Sequence, residues 1–240
     1  KKQCYSRVGS GKRMIYGYQK RTGRNQLLLT GQNLDQKEGR GKKLRKKSHI
    51  LLGRYLADQM SEVYSLQQHR KAFCLGNIMP DLKHHFSPPD TSFGTFDHLQ
   101  NKMRALVEKN PEEENARVYW RRFGEVMHYM ADYFTFPHNK TYEGNLAAHN
   151  SYEAELKNRL RECILSGAAD SQLEEAKQFE SFEELVEYIR ESHAYYLESP
   201  RCIADDIRFI LRVCYQVVQG IFQLCVRKQF HMGGQPAVTV

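Results

Sequence analysis

Between Pro111 and Pro137 the chain carries a helix-period stretch, about 112 to 136, whose second half is apolar on almost every side. Val126, Met127, Tyr129, Met130, Phe134 and Phe136 leave a single polar stripe, Glu125, His128 and Asp132, at i, i+3 and i+7. A helix apolar nearly all round is an interior helix, and a polar group buried without a partner costs free energy. The fold must therefore wrap other elements around this one. It must also satisfy the stripe from inside, with partner side chains or a metal ion.

The other segments supply those elements. Ser48 reads as the N-cap of "HILLGRYLADQMSEVY"; "RKAFCLGNIM" follows and is stopped by Pro80, after which a loop from 81 to about 95 carries Pro88, Pro89 and Gly94. Next come "FDHLQNKMRALVEKN", the interior helix, and a helix over about 145 to 165. Ser181 with Glu184 forms a capping box for "FEELVEYIRESHAYYLES". A last helix over about 203 to 230 places apolar residues at 203, 207, 210, 211, 214, 217, 218, 221 and 225. Strand signals and hairpin dipeptides are lacking, so the expectation is an all-α fold, a single bundle of roughly seven helices over residues 47–231.

Charge is distributed unevenly. Of the +8 net charge, residues 1 to 50 hold 15 Lys+Arg against 2 acids, or +13, which leaves −5 on the other 190 residues. The basicity belongs to an N-terminal arm, residues 1–46, and the mildly acidic bundle removes most of the composition-level case for a nucleic-acid-binding fold. The arm has few apolar residues beyond "QLLLT" at 26 to 30 and is expected to be disordered, as is the tail at 232–240. Its "GRGKKLRKK" run at 39 to 47 suits peripheral contact with an anionic membrane; a plain solvated tail is the simpler alternative.

No signal peptide is recognisable at the polar start. The longest apolar run, 213–226, contains Gln216, Gln219 and Gln223 and is shorter than a membrane span, so it reads as a core helix. Six cysteines (4, 74, 163, 202, 214 and 225) form no Cys-x-x-Cys pair, which favours a reducing compartment and a cytoplasmic location by default.

The stripe continues beyond its helix. His128 and Asp132 at i, i+4 bring an imidazole and a carboxylate to one face, with Cβ atoms about 5 to 6 Å apart. Pro137 ends the helix just before His138, and His149 with Glu153 repeats the i, i+4 pairing on the next helix. If those two helices are antiparallel neighbours, His138, His149 and Glu153 converge. One histidine on an apolar face is usually a hydrogen-bonded core residue. Five residues in the order His-x3-Asp-x5-His-x10-His-x3-Glu are better explained by metal, and two histidines with one carboxylate are typical of catalytic zinc.

That order resembles the zinc-dependent phospholipase C family, which shares its helical fold with the P1/S1 nucleases. The family signature is His-x3-Asp-x5-His followed by His-x3-Glu in the phospholipases and His-x3-Asp in the nucleases, and here the last residue is Glu153. An early Ser/Thr-His is matched by His49 in "KSHILLGRYLAD", a loop Asp by Asp81 in "GNIMPD", and a His opening a helix by His98 in "TFDHLQ". The resemblance spans about residues 47 to 230. It implies one zinc held by Asp81, His98, His128 and Asp132, a second by His138, His149 and Glu153, and a third by His49 with a bridging oxygen of Asp132. Two to three Zn2+ ions follow.

The implied activity is phosphodiester hydrolysis, with Asp81 both ligand and general base, releasing a phosphorylated headgroup and diacylglycerol from a phospholipid. The aromatics Tyr129, Tyr133, Phe134, Phe93 and Phe96 are near enough in sequence to cradle the glycerol and acyl portion, although most read as core. His69, His193 and His231 read as surface or packing residues, and His84 and His85 have no family counterpart. Two departures stand out. In the family an N-terminal Trp completes the third zinc, whereas the only Trp is Trp120; and Leu82 replaces the aromatic that follows the loop Asp in the choline-preferring phospholipase, so choline specificity does not transfer. The alternatives are a P1/S1-type single-strand nuclease or 3′-nucleotidase, and a catalytically silent metal-binding protein. No specific protein partner is implied; the family is often secreted, the alternative to a cytoplasmic location.

Overall fold

The computed structural model describes residues 40–83, 96–109, 115–200 and 202–232, with 40–47, 83 and 229–232 as backbone alone. All belong to one compact unit, Glu38–Val240. Residues 1–39 of the arm, the segment with His84, His85 and Phe93, and residues 233–240 of the tail lie outside the described residues, as does the side chain of His231; residues 40–46, expected to belong to a disordered arm, and Met232, expected in the tail, are helical instead.

Among the described residues there are nine α-helices and no strand. They are α1 (Arg40–Gln59), α2 (Tyr64–Gln68), α3 (Arg70–Gly76), α4 (Met79–Lys83), α5 (Phe96–Glu108), α6 (Ala116–Tyr133), α7 (Leu146–Leu165), α8 (Phe182–Glu198) and α9 (Ile203–Met232). The all-α expectation holds. The two helices beyond the expected seven are short: α1 stops at Gln59 where the pattern ran on to Tyr64, and α4 forms where a loop was expected. Gln67 explains the first break, since its Nε2 donates to the carbonyls of Ala57 (2.8 Å) and Met60 (3.1 Å) at the end of α1.

Three boundary readings need correction. Ser48 lies inside α1 and does not cap it. Pro80 does not stop a helix but sits in the first turn of α4, where a missing N–H is tolerated, and Asp81 is helical beside it. The interior helix ends at Tyr133, not at Pro137: Phe134 is its C-cap, and Phe136–His138 form a separate 3₁₀ turn.

Side chains cap α6, α7 and α8. Asn115 Oδ1 accepts from Val118 N (3.3 Å) at α6 and Asn145 Oδ1 from Ala148 N (2.9 Å) at α7. Ser181 Oγ accepts from Glu184 N (3.2 Å), while the Glu184 carboxylate takes the N–H of Glu180 (2.8 Å), one residue before the box position.

α6 is the interior helix its pattern required, burying Tyr119, Trp120, Phe123, Met127 and Met130. Trp120 stacks on Phe123 at 5.5 Å and donates its Nε1–H to Ser65 Oγ (2.9 Å), so the one indole is both buried and satisfied. α3 crosses α6 at Gly76 and Gly124 with backbone against backbone: a Cβ on Gly124 would lie 2.0 Å from the Phe73 carbonyl oxygen. α7 packs chiefly on α1 and α9, so the antiparallel pairing expected between the interior helix and α7 is not the one that forms. α9 is a core helix. Its Ile203–Lys228 stretch is long and apolar enough to cross a membrane, more than the run at 213–226 indicated, yet two thirds of its most apolar window is buried and Gln216 inside it bonds Lys177 N and Glu175 O.

Candidate metal centre

Five elements bring most of the sequence-predicted residues to one place. α1 carries His49, α4 Asp81, α6 His128 and Asp132, the 3₁₀ turn His138, and α7 His149 and Glu153. Two groups form. His49, Asp81 and His128 have ligand atoms all within 4.8 Å of one another, and so do His138, His149 and Glu153.

In the second group both imidazoles point a nitrogen at one oxygen: His138 Nε2 lies 3.2 Å and His149 Nε2 2.8 Å from Glu153 Oε1. Asp132 stands between the groups. Its Oδ1 is 3.3 Å from His49 Nε2 and 3.9 Å from His138 Nε2, and its Oδ2 is 3.2 Å from His128 Nε2. The i, i+4 pairings of His128 with Asp132 and His149 with Glu153 therefore both form, and convergence arises through α1 and the 3₁₀ turn rather than through helix pairing.

His128 is the most constrained of the set. The α3–α6 crossing brings the Asn77 carbonyl 2.9 Å from its Nδ1, which can only be satisfied if Nδ1 carries the proton and donates. Nε2 is then the nitrogen aimed at the cluster, paired with Asp132 in the metal-free chain and available to a cation once its proton leaves, the backbone-held arrangement usual for metal-binding imidazoles. Burial alone would lower the His128 pKa, but the Asp132 carboxylate outweighs it and the net direction is up. Burial would likewise raise Asp132, yet His138, His128 and His49 together pull it well below the ordinary carboxylate range.

The residues present suit a cation. Asp81 Oδ2 is buried with no hydrogen-bond partner, an uncommon state for a carboxylate oxygen and one that a bound ion resolves. Four imidazoles and three carboxylates converging without a Lys or Arg among them are a donor set of zinc type.

His98 is not brought in. It stands exposed on α5, with its ring 6.1 Å from that of Tyr129. Glu125 also leaves the stripe's common purpose: it pairs with Lys102 Nζ at 3.4 Å. Of the aromatics, Phe134 is core, whereas Phe96, Tyr133 and His193 form a half-buried stack, with Tyr133 5.4 Å from Phe96 and 3.6 Å from His193. A cavity opens beside the cluster, polar on the side of His49, Asp132, His138 and Glu153 and apolar on the side of Leu52, Leu156, Leu160 and Ile210.

Asn77 and Asp206 were missed from the sequence. Asn77 acts through its backbone, which no residue pattern announces. Asp206 had a signal, because a carboxylate between Ile203 and Ile210 falls on the buried face of α9.

A family model described as zinc dependent phospholipase C matches residues 48–203. No curated protein and no solved structure matches the chain significantly.

Proposed function

The chain belongs to the zinc-dependent phospholipase C family, and on that premise we propose that the His49/Asp81/His128 and His138/His149/Glu153 groups hold two zinc ions, with Asp132 shared between them, and cleave a phospholipid to diacylglycerol and a phosphorylated headgroup. The observation that carries the ligand reading is the buried, partnerless Asp81 Oδ2 beside the imidazoles of His49 and His128. Compared with the ligand set the resemblance implies, His49 takes a place in the first group and the exposed His98 has none.

Zinc bound here would draw charge from the non-bridging phosphate oxygens, lower the pKa of a bound water towards about 7 and offset charge on the leaving oxygen. The chain's own residues do the rest. Asp81 is assigned the role of taking the attacking water's proton, a reading its unpartnered carboxylate oxygen supports. The Asn77 carbonyl keeps His128 in the tautomer that leaves Nε2 unprotonated. Leu52, Leu156, Leu160 and Ile210 line the cavity with a wall that suits the glycerol and acyl side of a lipid and offers a nucleotide little to bond.

A nuclease on the same fold has one observation in its favour, the half-buried Phe96–Tyr133–His193 stack, which a base could extend. Elemental analysis combined with a substrate panel separates the readings. About two zinc per chain is expected, with hydrolysis of phosphatidylcholine vesicles or another headgroup class and none of single-stranded DNA. DNA cleavage outrunning every phospholipid would favour the nuclease; bound zinc with no phosphoester hydrolysed would favour a silent binding protein.

The pKa directions add a pH prediction. His128, raised above its ordinary 6.5, stabilises the metal-free fold fully below about pH 6.5, and this is lost as pH rises through its folded value. Asp132, held low, contributes above about pH 4 and loses that only as pH falls through its folded value in strong acid. Between about pH 6 and 8 the His128 contribution falls, while that of His193, whose pKa burial lowers to about 4, rises, so the difference that zinc makes, rather than the metal-free stability alone, isolates the cluster. Zinc needs imidazoles without that proton, so its binding gains over the same range. The rise in Tm on adding zinc to chelated protein should widen from about pH 6 to about pH 8; a rise that narrows instead would show that protons and zinc do not compete at this cluster.

A further inference from the structure

Asp206 lies in the first turn of α9 and is fully buried, and among the described residues its carboxylate is bonded by neutral donors. Three donors from three different elements meet its carboxylate. The Phe136 N–H (3.0 Å) and the Tyr152 hydroxyl (2.9 Å) both donate to Oδ2, and the Tyr196 hydroxyl (2.7 Å) donates to Oδ1. Burial pushes the Asp206 pKa up and the three donors oppose that push, since each bonds the carboxylate as an acceptor.

The identity of those donors matters more than their number. Phe136 opens the 3₁₀ turn that ends in His138, and Tyr152 precedes Glu153 on α7. Both bond the same oxygen atom, so Oδ2 of Asp206 ties the turn bearing His138 to the helix bearing Glu153 from behind the cluster, beside the Phe136–Tyr152 ring contact. That tie is needed because α7 does not pack along α6, and the His138–Glu153 approach of 3.2 Å has no helix interface behind it. Tyr196 anchors the carboxylate itself, joining α8 to α9.

We propose that Asp206 is a positioning residue for the His138/His149/Glu153 cluster, holding the Phe136 amide and the Tyr152 hydroxyl on one carboxylate oxygen and so setting the separation of His138 from Glu153. The proposal rests on the zinc reading above. It also separates the two groups: His49, Asp81 and His128 are held by α1, α4 and the Asn77 carbonyl and do not depend on this clamp.

The test uses the full-length chain and two variants, Tyr152→Phe and Asp206→Asn. Tyr152→Phe removes one donor and leaves Asp206 with Phe136 N and the Tyr196 hydroxyl, so the fold survives even where Asp206→Asn does not. Zn2+ affinity is measured by competition with a chromophoric chelator, and Co2+ substitution supplies a spectrum for each site. Loss of such an outer-shell partner costs about 10- to 100-fold in metal affinity, so one zinc class should weaken by about 10-fold or more in Tyr152→Phe, with its Co2+ spectrum altered and the other class unchanged. A purely structural role would lower Tm and leave both affinities and both spectra as in the parent, and that result overturns the proposal. Equal weakening of both classes overturns it as well. A parent protein that binds no zinc would instead bring down the zinc reading and this inference with it, which keeps the two failures distinguishable.

Discussion

Replacing Asp132 with alanine is expected to strip purified protein of zinc and to take phosphodiester hydrolysis to background. The carboxylate lies within 3.2 to 3.9 Å of His49, His128 and His138, so it touches both groups. Removing it deletes a shared ligand and leaves three imidazoles facing one another with the opposing charge gone. The pKa of Asp132, held well down by those imidazoles, measures how strongly they favour its charge. Loss of the metal removes several kcal/mol of transition-state stabilisation, and at about 1.4 kcal/mol per tenfold the rate should fall by at least about 10³-fold. His128→Ala should act in the same direction, because His128 and Asp132 share a face and a hydrogen bond. Zinc per chain by elemental analysis and hydrolysis of a chromogenic phosphodiester are the readouts, with the chelated parent as the stability control. Unchanged zinc in both variants would sink the ligand assignment.

How far the site could be read from sequence follows from which contacts are local. His128 with Asp132 and His149 with Glu153 are one-turn pairs, and helical period alone places each pair on one face. The all-α class and the interior character of α6 were legible for the same reason: an apolar circumference is a local property. What was not legible depends on approach between distant segments. The geometry puts His49 beside Asp81 and His128 and leaves His98 exposed, a choice made by the packing of α1 and the short α4. Pro80 was taken as a stop because proline breaks helix interiors, but the first turn of a new helix accepts it equally well, and nothing local distinguishes the two. The Asn77 carbonyl and the Asp206 clamp are long-range hydrogen bonds, one of them made by backbone, and carry no periodic signature.

The α3–α6 crossing is where that long-range geometry is most exposed to a single change, and Gly124→Ala is expected to unfold the protein or leave it poorly folded and unable to bind zinc. In an isolated helix the substitution would help, since Ala is favoured over Gly by about 1 kcal/mol. Here the added Cβ would sit 2.0 Å from the Phe73 carbonyl oxygen and 2.9 Å from both Asn77 N and Gly76 Cα, all backbone atoms with no rotamer to move. The helices must separate, and overpacking of this kind costs about 1 to 3 kcal/mol or more even where side chains can yield. Against a total stability of about 5 to 15 kcal/mol that is a large fraction, and the clash outweighs the propensity gain. Separation also draws the Asn77 carbonyl away from His128 Nδ1, so zinc affinity should fall in whatever fraction stays folded. Thermal unfolding of the chelated variant and its zinc stoichiometry are the measurements. A Tm at or above that of the parent would mean that α3 and α6 do not cross in backbone contact, and the tautomer argument for His128 would lose its support.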